Sequence, residues 1–246
     1  MKIFFLATML SKRASNLINA NDEYLVLSPL DDEELKSKCQ SKIIKYEIDT
    51  LAFILMMICA KTFLENEFFS DADIGYLSGE SNVGEEEIEQ ILEFLAKAKR
   101  LIIAPEIFNE TNAKSLEFML GLICKHFELE SVDLAGQGVS FDGELGELED
   151  GRDFNGACVF YYTNAQSKLL GSELFAKVAK LKNGDTITLK TSFGEFETTF
   201  SVDEKLKGLI GIFSHQKALI LRITVINHSA KSTSLMVCFW SFLLDR

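Results

Sequence analysis

Residues Glu85–Pro105, EEEIEQILEFLAKAKRLIIAP, carry the clearest helix-then-strand signal in the chain. Ile88, Ile91, Leu92, Leu95 and Ala96 fall on one face at helical spacing. Glu85, Glu86 and Glu87 open the segment, and Lys97, Lys99 and Arg100 close it, so both ends complement the helix dipole. The pattern predicts a helix over Glu85–Arg100. Leu101–Ala104 follows as a wholly apolar run that Pro105 ends, the texture of a strand covered on both faces of a parallel sheet. A second helix is expected from Thr111 or Asn112 to about Phe127, with Leu116, Met119, Leu120, Ile123 and Phe127 as its stripe. Helix, buried strand and helix in that order make a βα repeat, which fits a parallel sheet flanked by helices.

Toward the N-terminus, Lys2–Thr8, Tyr24–Leu27 and Ile43–Ile48 read as short strands. Ser11–Asn19 and Asp31–Lys38 read as helical between them, after Ser28-Pro29 breaks the second strand. A buried helix is expected from Asp49 to about Glu67, with Asp49 or Thr50 as its cap. Phe68–Asp73 reads as a connection, Ile74–Leu77 as extended, and Ser78-Gly79 and Ser81–Gly84 as loop. Toward the C-terminus, Leu134–Gly156 is rich in glycine and acids with little apolar periodicity, and reads as an interdomain connection. Beyond it the texture is β. Ala157–Tyr162 is a strand, and Ser172–Lys180 a short helix with Leu174, Phe175 and Val178 on one side. Thr186–Lys190 turns at Ser192–Gly194 into Glu195–Val202, with Ile187, Leu189, Phe196, Phe200 and Val202 inward. Leu206–Gly208 turns into Leu209–Phe213, and 218–228 and 235–244 look like closing strands. The division is therefore 1–133 as an α/β domain, 134–156 as connection and 157–246 as a β domain.

Composition narrows the function. The 246 residues are 47% hydrophobic, with 20 Phe, ample for a packed core. The formal net charge of −12 supplies no basic footprint for nucleic acid. The acidic stretches Asp31–Glu34 and Glu85–Glu87 read as solvated helix starts. Cys39, Cys59, Cys124, Cys158 and Cys238 stand singly, which offers no zinc or iron–sulfur set and reads as buried thiols in a reducing compartment. Leu51–Ala60 is apolar but half the length of a membrane span, and Glu47, Asp49, Lys61 and Glu65 flank it. Ile3–Leu10 is followed by Ser11-Lys12-Arg13 rather than a small-residue cleavage site, so it reads as a first strand. A cytoplasmic protein without direct membrane insertion is expected.

No residue stands out as catalytic, cofactor-binding or metal-ligating. His126 sits near a helix C-terminus, where an imidazolium is stabilised structurally; His215 and His228 lie in β segments without acidic companions. Asp71 and Asp73 lack the remaining ligands of a calcium loop. Gly79-Glu80-Ser81 with Gly84 precedes a helix, but Glu80 and Glu85–Glu87 repel phosphate, so capping explains it better. Gly136-Gln137-Gly138 has neither the strand before nor the helix after that a dinucleotide fingerprint needs.

Two regions carry a resemblance. Leu174–Asp185, with its helix, Gly184-Asp185 turn, alternating strand, Gly194 turn and Leu206–Gly208 turn, resembles the C-terminal β-barrel of the molybdopterin oxidoreductase superfamily. Asp73–Leu77, Glu80–Glu87 and Ala98–Ile103, with Asp153–Tyr161, are closer to one branch of it. They resemble the C-terminal region of the molybdopterin-oxidoreductase-like, iron–sulfur-carrying subunit of bacterial NADH-quinone oxidoreductase, respiratory complex I. The resemblance spans about residues 44–213. It implies a parallel-sheet Rossmann-like domain followed by a small, double-psi-like β-barrel. It implies a non-catalytic structural part of the peripheral arm, with other respiratory subunits as partners, no bound cofactor, and a place on the inner face of the cell membrane through the complex. The alternatives are a pterin-dinucleotide-binding fragment of a molybdopterin oxidoreductase and a free-standing protein-interaction domain. The chain is far shorter than the family member, lacks its cysteine-rich N-terminal region, and 214–246 does not match its ending.

Overall fold

A computed structural model describes residues 1–6, 8–152, 158–163, 167–191, 194–215, 223–227 and 235–240. His228, residues 153–157 of the Asp153–Tyr161 motif, and Ser192 and Phe193 of the expected hairpin turn lie outside them. The chain forms two compact units, Met1–Arg152 and Asp153–Arg246.

The first unit is α/β. Its strands are β1 (Lys2–Leu6), β2 (Glu23–Leu27), β3 (Gln40–Ile44), β4 (Arg100–Ile103) and β5 (Glu130–Val132). They pair in the order β3-β2-β1-β4-β5, every pair parallel. That is the order of doubly wound sheets, with the reversal at β1. Ile3, Phe4, Phe5 and Leu6 are all buried, as are Leu101, Ile102 and Ile103, because helices cover both faces. The helices are α1 (Leu10–Arg13), α2 (Glu33–Lys38), α3 (Leu51–Thr62), α4 (Glu67–Ser70), α5 (Ile74–Ser81), α6 (Glu85–Leu95) and α7 (Ala113–Phe127), with a 3-10 turn at Pro105–Asn109. Leu51 through Ala60 of α3 are all buried, which explains why that helix is apolar all round. Glu85–Glu87 and Glu33-Glu34 do open α6 and α2.

The structure departs from the sequence pattern in several elements. The third strand is Gln40–Ile44, not Ile43–Ile48, because its register with β2 runs from Glu23↔Gln40 to Leu27↔Ile44. The helix from Asp49 runs only from Leu51 to Thr62. A short helix fills part of the expected connection Phe68–Asp73, begun by Asn66, whose side chain accepts the Phe68 N–H. Ile74–Leu77 is helical rather than extended: Asp73 Oδ1 caps α5 by accepting the Tyr76 N–H at 3.0 Å, and Asn82 ends it in the left-handed region. The helix predicted over Glu85–Arg100 stops at Leu95, because the Lys99 N–H bonds to the Lys2 carbonyl and Arg100 already belongs to β4.

Residues 134–152 form no helix or strand beyond one bridge, Val132↔Gly138. They are nevertheless fixed to the first unit. Ser131 Oγ donates to the Val139 carbonyl, and Ser115 Oγ accepts the Gly146 N–H. The Asn112 amide exchanges two bonds with the Glu149 backbone. The segment is a strap across α7, and Gly143 lies so close that a Cβ there would come within 2.2 Å of the Lys114 carbonyl.

The second unit holds β6 (Cys158–Thr163), β7 (Lys168–Gly171), α8 (Glu173–Ala179), β8 (Thr186–Thr191), β9 (Gly194–Val202), β10 (Ile210–His215), β11 (Ile223–Asn227) and β12 (Leu235–Trp240). These strands form a mixed sheet. Their pairings run β10-β6-β12-β11-β8-β9-β7, and β7 also pairs with β10. Three of the links, β10–β6, β12–β6 and β7–β9, are parallel. Ile187, Leu189 and Phe200 point into the core as their alternation predicts. Helix α8 differs: Phe175, Ala176 and Ala179 are buried, whereas Leu174 and Val178 are 47% and 42% exposed. Phe175 therefore sets the inward face, seated where Gly171 and Gly211 leave room for its ring.

Candidate functional site

In doubly wound sheets, ligands bind outside the carboxyl ends of the strands where the order reverses, here between β1 and β4. The turn after β1 places Met9 in the left-handed region and starts α1. A carboxylate from the turn after β2 holds the start of α1. Asp32 is buried; its Oδ2 accepts the Ser11 N–H at 2.9 Å, and its Oδ1 accepts from Ser11 Oγ and from the Leu35 N–H. Beside it Arg13 grips Glu106 with both guanidinium nitrogens, Nη2–Oε2 at 2.8 Å. Glu106 also accepts the Thr8 N–H at 3.3 Å, and its side chain is fully buried. Glu106, after β4, thus bridges the crevice to Thr8 and Arg13, after β1, while Asp32, after β2, ties the start of α1 to α2.

A second polar cluster lies where α3, α7 and the strap meet. Asp49 has φ +68°, the left-handed region, and is buried. It accepts from the Thr111 N–H at 2.9 Å and Oγ1 at 2.6 Å, and from the Arg152 N–H at 2.7 Å and Nε at 2.9 Å. Burial pushes its carboxyl up, but these hydrogen bonds outweigh burial and hold it below the ordinary range. Glu110 Oε2 accepts the Leu51 N–H at 3.1 Å, at the first turn of α3. Burial drives Glu110 well above the ordinary range, and the Asp49 charge adds to it. Tyr46, also buried, is raised by burial and then by Glu110, Glu106 and Asp49. Asp49, an expected cap of α3, instead commits its side chain to Thr111 and Arg152.

At the opposite, amino edge of the sheet, an open cavity of about 340 Å³ is lined by Lys2, Lys42, Lys97, Glu23, Glu93 and Phe94, among others. Lys2 Nζ bonds Glu23 at 2.9 Å and stands 4.8 Å over the Phe94 ring, while Lys42 bonds Gln90. Lys2, Glu23, Lys42 and Gln90 of its lining are already paired, and no sequence motif announces them because they come from four separate elements.

The remaining candidates take structural places. His126 packs edge-on to Phe63 and Phe127, with centroids 5.3 and 4.7 Å away. His215 lies in β10. Burial pushes the thiols of Cys59 and Cys124 up to about 12, which removes thiolate reactivity at neutral pH. Asp73 caps α5, and the Gly84 N–H bonds Glu87 Oε2 at the start of α6. Gly136 takes φ +80° in a turn that Asp133 closes through the Ala135 and Gln137 N–H groups. Cys158 and Cys238, far apart in sequence, are register partners in β6 and β12. Among the described residues, no group of three or more His, Cys, Asp or Glu is placed to hold a metal ion. Among them too, no helix is long and apolar enough to cross a membrane.

Compared with known proteins, the chain matches no protein-family model and no curated sequence.

Proposed function

We propose that the chain is a non-catalytic structural part of the peripheral arm of a respiratory NADH-quinone oxidoreductase, an α/β body followed by a double-psi-like barrel. The observation that carries this reading is the bridged crevice: Glu106, after β4, accepts from the Thr8 N–H and from Arg13, after β1. A phosphate placed there would meet the Glu106 carboxyl, which argues for support rather than nucleotide binding at this edge. The motif residues behind the resemblance serve as structural parts. Asp73 is a cap, Gly184 turns at φ +90°, and Asp185 accepts the Lys182 N–H at 2.8 Å. Gly208 turns at φ +75°, and its carbonyl accepts from Ser172 Oγ. The mixed pairing of the second unit and its place after the α/β unit suit the same reading. Location on the inner membrane face would follow from assembly alone. Affinity isolation of the chain from native membranes should recover other subunits of the respiratory complex. Recovery of the chain by itself would refute the assignment, and molybdenum or tungsten with an extractable pterin in the isolate would favour the pterin-binding alternative.

A further inference from the structure

The clusters around Glu106 and Asp49 share a charge problem. Three buried carboxyl groups, Asp49, Glu106 and Glu110, are 1%, 0% and 4% exposed. Arg13 is committed to Glu106, and Arg152 to Asp49. Glu110 receives one backbone N–H on Oε2, and its Oε1 is buried with no hydrogen-bond partner. Tyr46 Oη and Thr8 Oγ1 are likewise buried without partners. The charged or titratable groups that bear on Glu110 are Asp49, Arg152 and Glu106, with Tyr46 beside them and Arg13 beyond Glu106. A buried carboxylate with neither a cation of its own nor donors for both oxygens is strongly disfavoured over the neutral acid.

We propose that Glu110 is a proton-binding site that latches the strap: the first unit is closed around a neutral Glu110 carboxyl, and loss of that proton releases the strap's Arg152 end. The geometry links the two events. Arg152 covers the 109–111 corner, donating from Nη2 to the Asn109 carbonyl at 3.1 Å while its backbone and Nε hold Asp49. Asp49 in turn holds Thr111, the residue next to Glu110. Lifting Arg152 takes away a charge that favours an ionised Glu110, but it uncovers this corner and admits water, which relieves burial, the largest cause of the raised carboxyl. The linkage has one sign. The folded state binds the extra proton, so closure is complete below the ordinary carboxyl value and weakens as pH rises toward the folded value. Asp49, held low, acts in the opposite sense and only at acid pH.

The test is hydrogen exchange of the full chain between about pH 5 and 9, following peptides that cover Gly146–Arg152 and the start of α3, with intrinsic exchange rates divided out. Protection should fall about tenfold per pH unit over the window in which one proton leaves on opening. Glu110→Gln copies the neutral acid in shape and should make the profile flat. A flat profile in the unmodified chain, or the same slope in Glu110→Gln, overturns the proposal. Carboxyl ¹³C titration of the unmodified chain, with the Glu110 signal assigned by its loss in the variant, gives a reading that does not depend on the strap. Titration of that signal above the ordinary carboxylate range is expected, and titration within it overturns the proposal.

Discussion

At the scale of single residues, this protein spends buried charge on holding its own loops. Arg13 is 9% exposed at its side chain and Glu106 0%, so neither group is solvated in compensation if the other is removed. Replacing Arg13 by Met should therefore destabilise the first unit by about 3–5 kcal/mol, read from the urea midpoint by circular dichroism. The double variant Arg13→Met with Glu106→Leu should recover much of that loss, because an apolar pair of similar volume removes the uncompensated carboxyl. Asp49 illustrates the same logic with backbone strain added. A non-glycine residue at φ +68° persists because Thr111 and Arg152 together over-determine its carboxylate.

At the scale of elements, glycines decide how closely pieces approach. A Cβ on Gly171 would lie 2.7 Å from both the Phe175 and Phe200 rings, which pack 6.2 Å apart. Gly171→Ala should destabilise the second unit by about 1–3 kcal/mol through overpacking. Leu174→Ser on the outer face of α8 should change stability by no more than about 0.5 kcal/mol, since that side chain is 47% exposed. A thermal-shift comparison of the two variants checks the inward face assigned to α8. In the strap, Gly143 meets the Lys114 carbonyl and the Phe118 N–H, rigid backbone atoms of α7 that cannot yield. Gly143→Ala should lift the strap and speed its cleavage by a protease cutting at acidic residues, with α7 itself left intact.

At the scale of the whole molecule, the boundary of the first unit is a physical question. Composition alone places it at 133, where regular structure and apolar periodicity stop. Packing places it at Arg152, because the intervening residues satisfy Asn112, Ser115 and Asp49. A fragment of residues 1–152 should unfold cooperatively, whereas residues 1–133 should be less stable by about 3 kcal/mol or more, having left Asp49 buried without its cation. Urea titration of the two fragments separates these boundaries.

The α/β character of the first unit is legible from local pattern in the amino-acid sequence. The helix at Glu85, the apolar run Leu101–Ala104 and the stripe from Leu116 to Phe127 are local patterns of period and burial, and they produce α6, β4 and α7. Alternation likewise places Ile187, Leu189 and Phe200 of the inward set in the core, with Val202 packed against it; the Phe196 side chain lies outside the described residues. Local pattern did not disclose α5, whose two glycines weaken local propensity and whose stability comes from the Asp73 cap and its packing on α3. Nor did it disclose the polar clusters. Ser11 with Asp32, Arg13 with Glu106, and Asp49 with Thr111 and Arg152 are brought together only by folding, from segments separated by 21, 93, 62 and 103 positions. Local sequence encodes period, turn and cap, because those depend on neighbouring residues. Which carboxyl groups share a buried corner, and which of them is left without a cation, depends on long-range packing, which no local pattern carries.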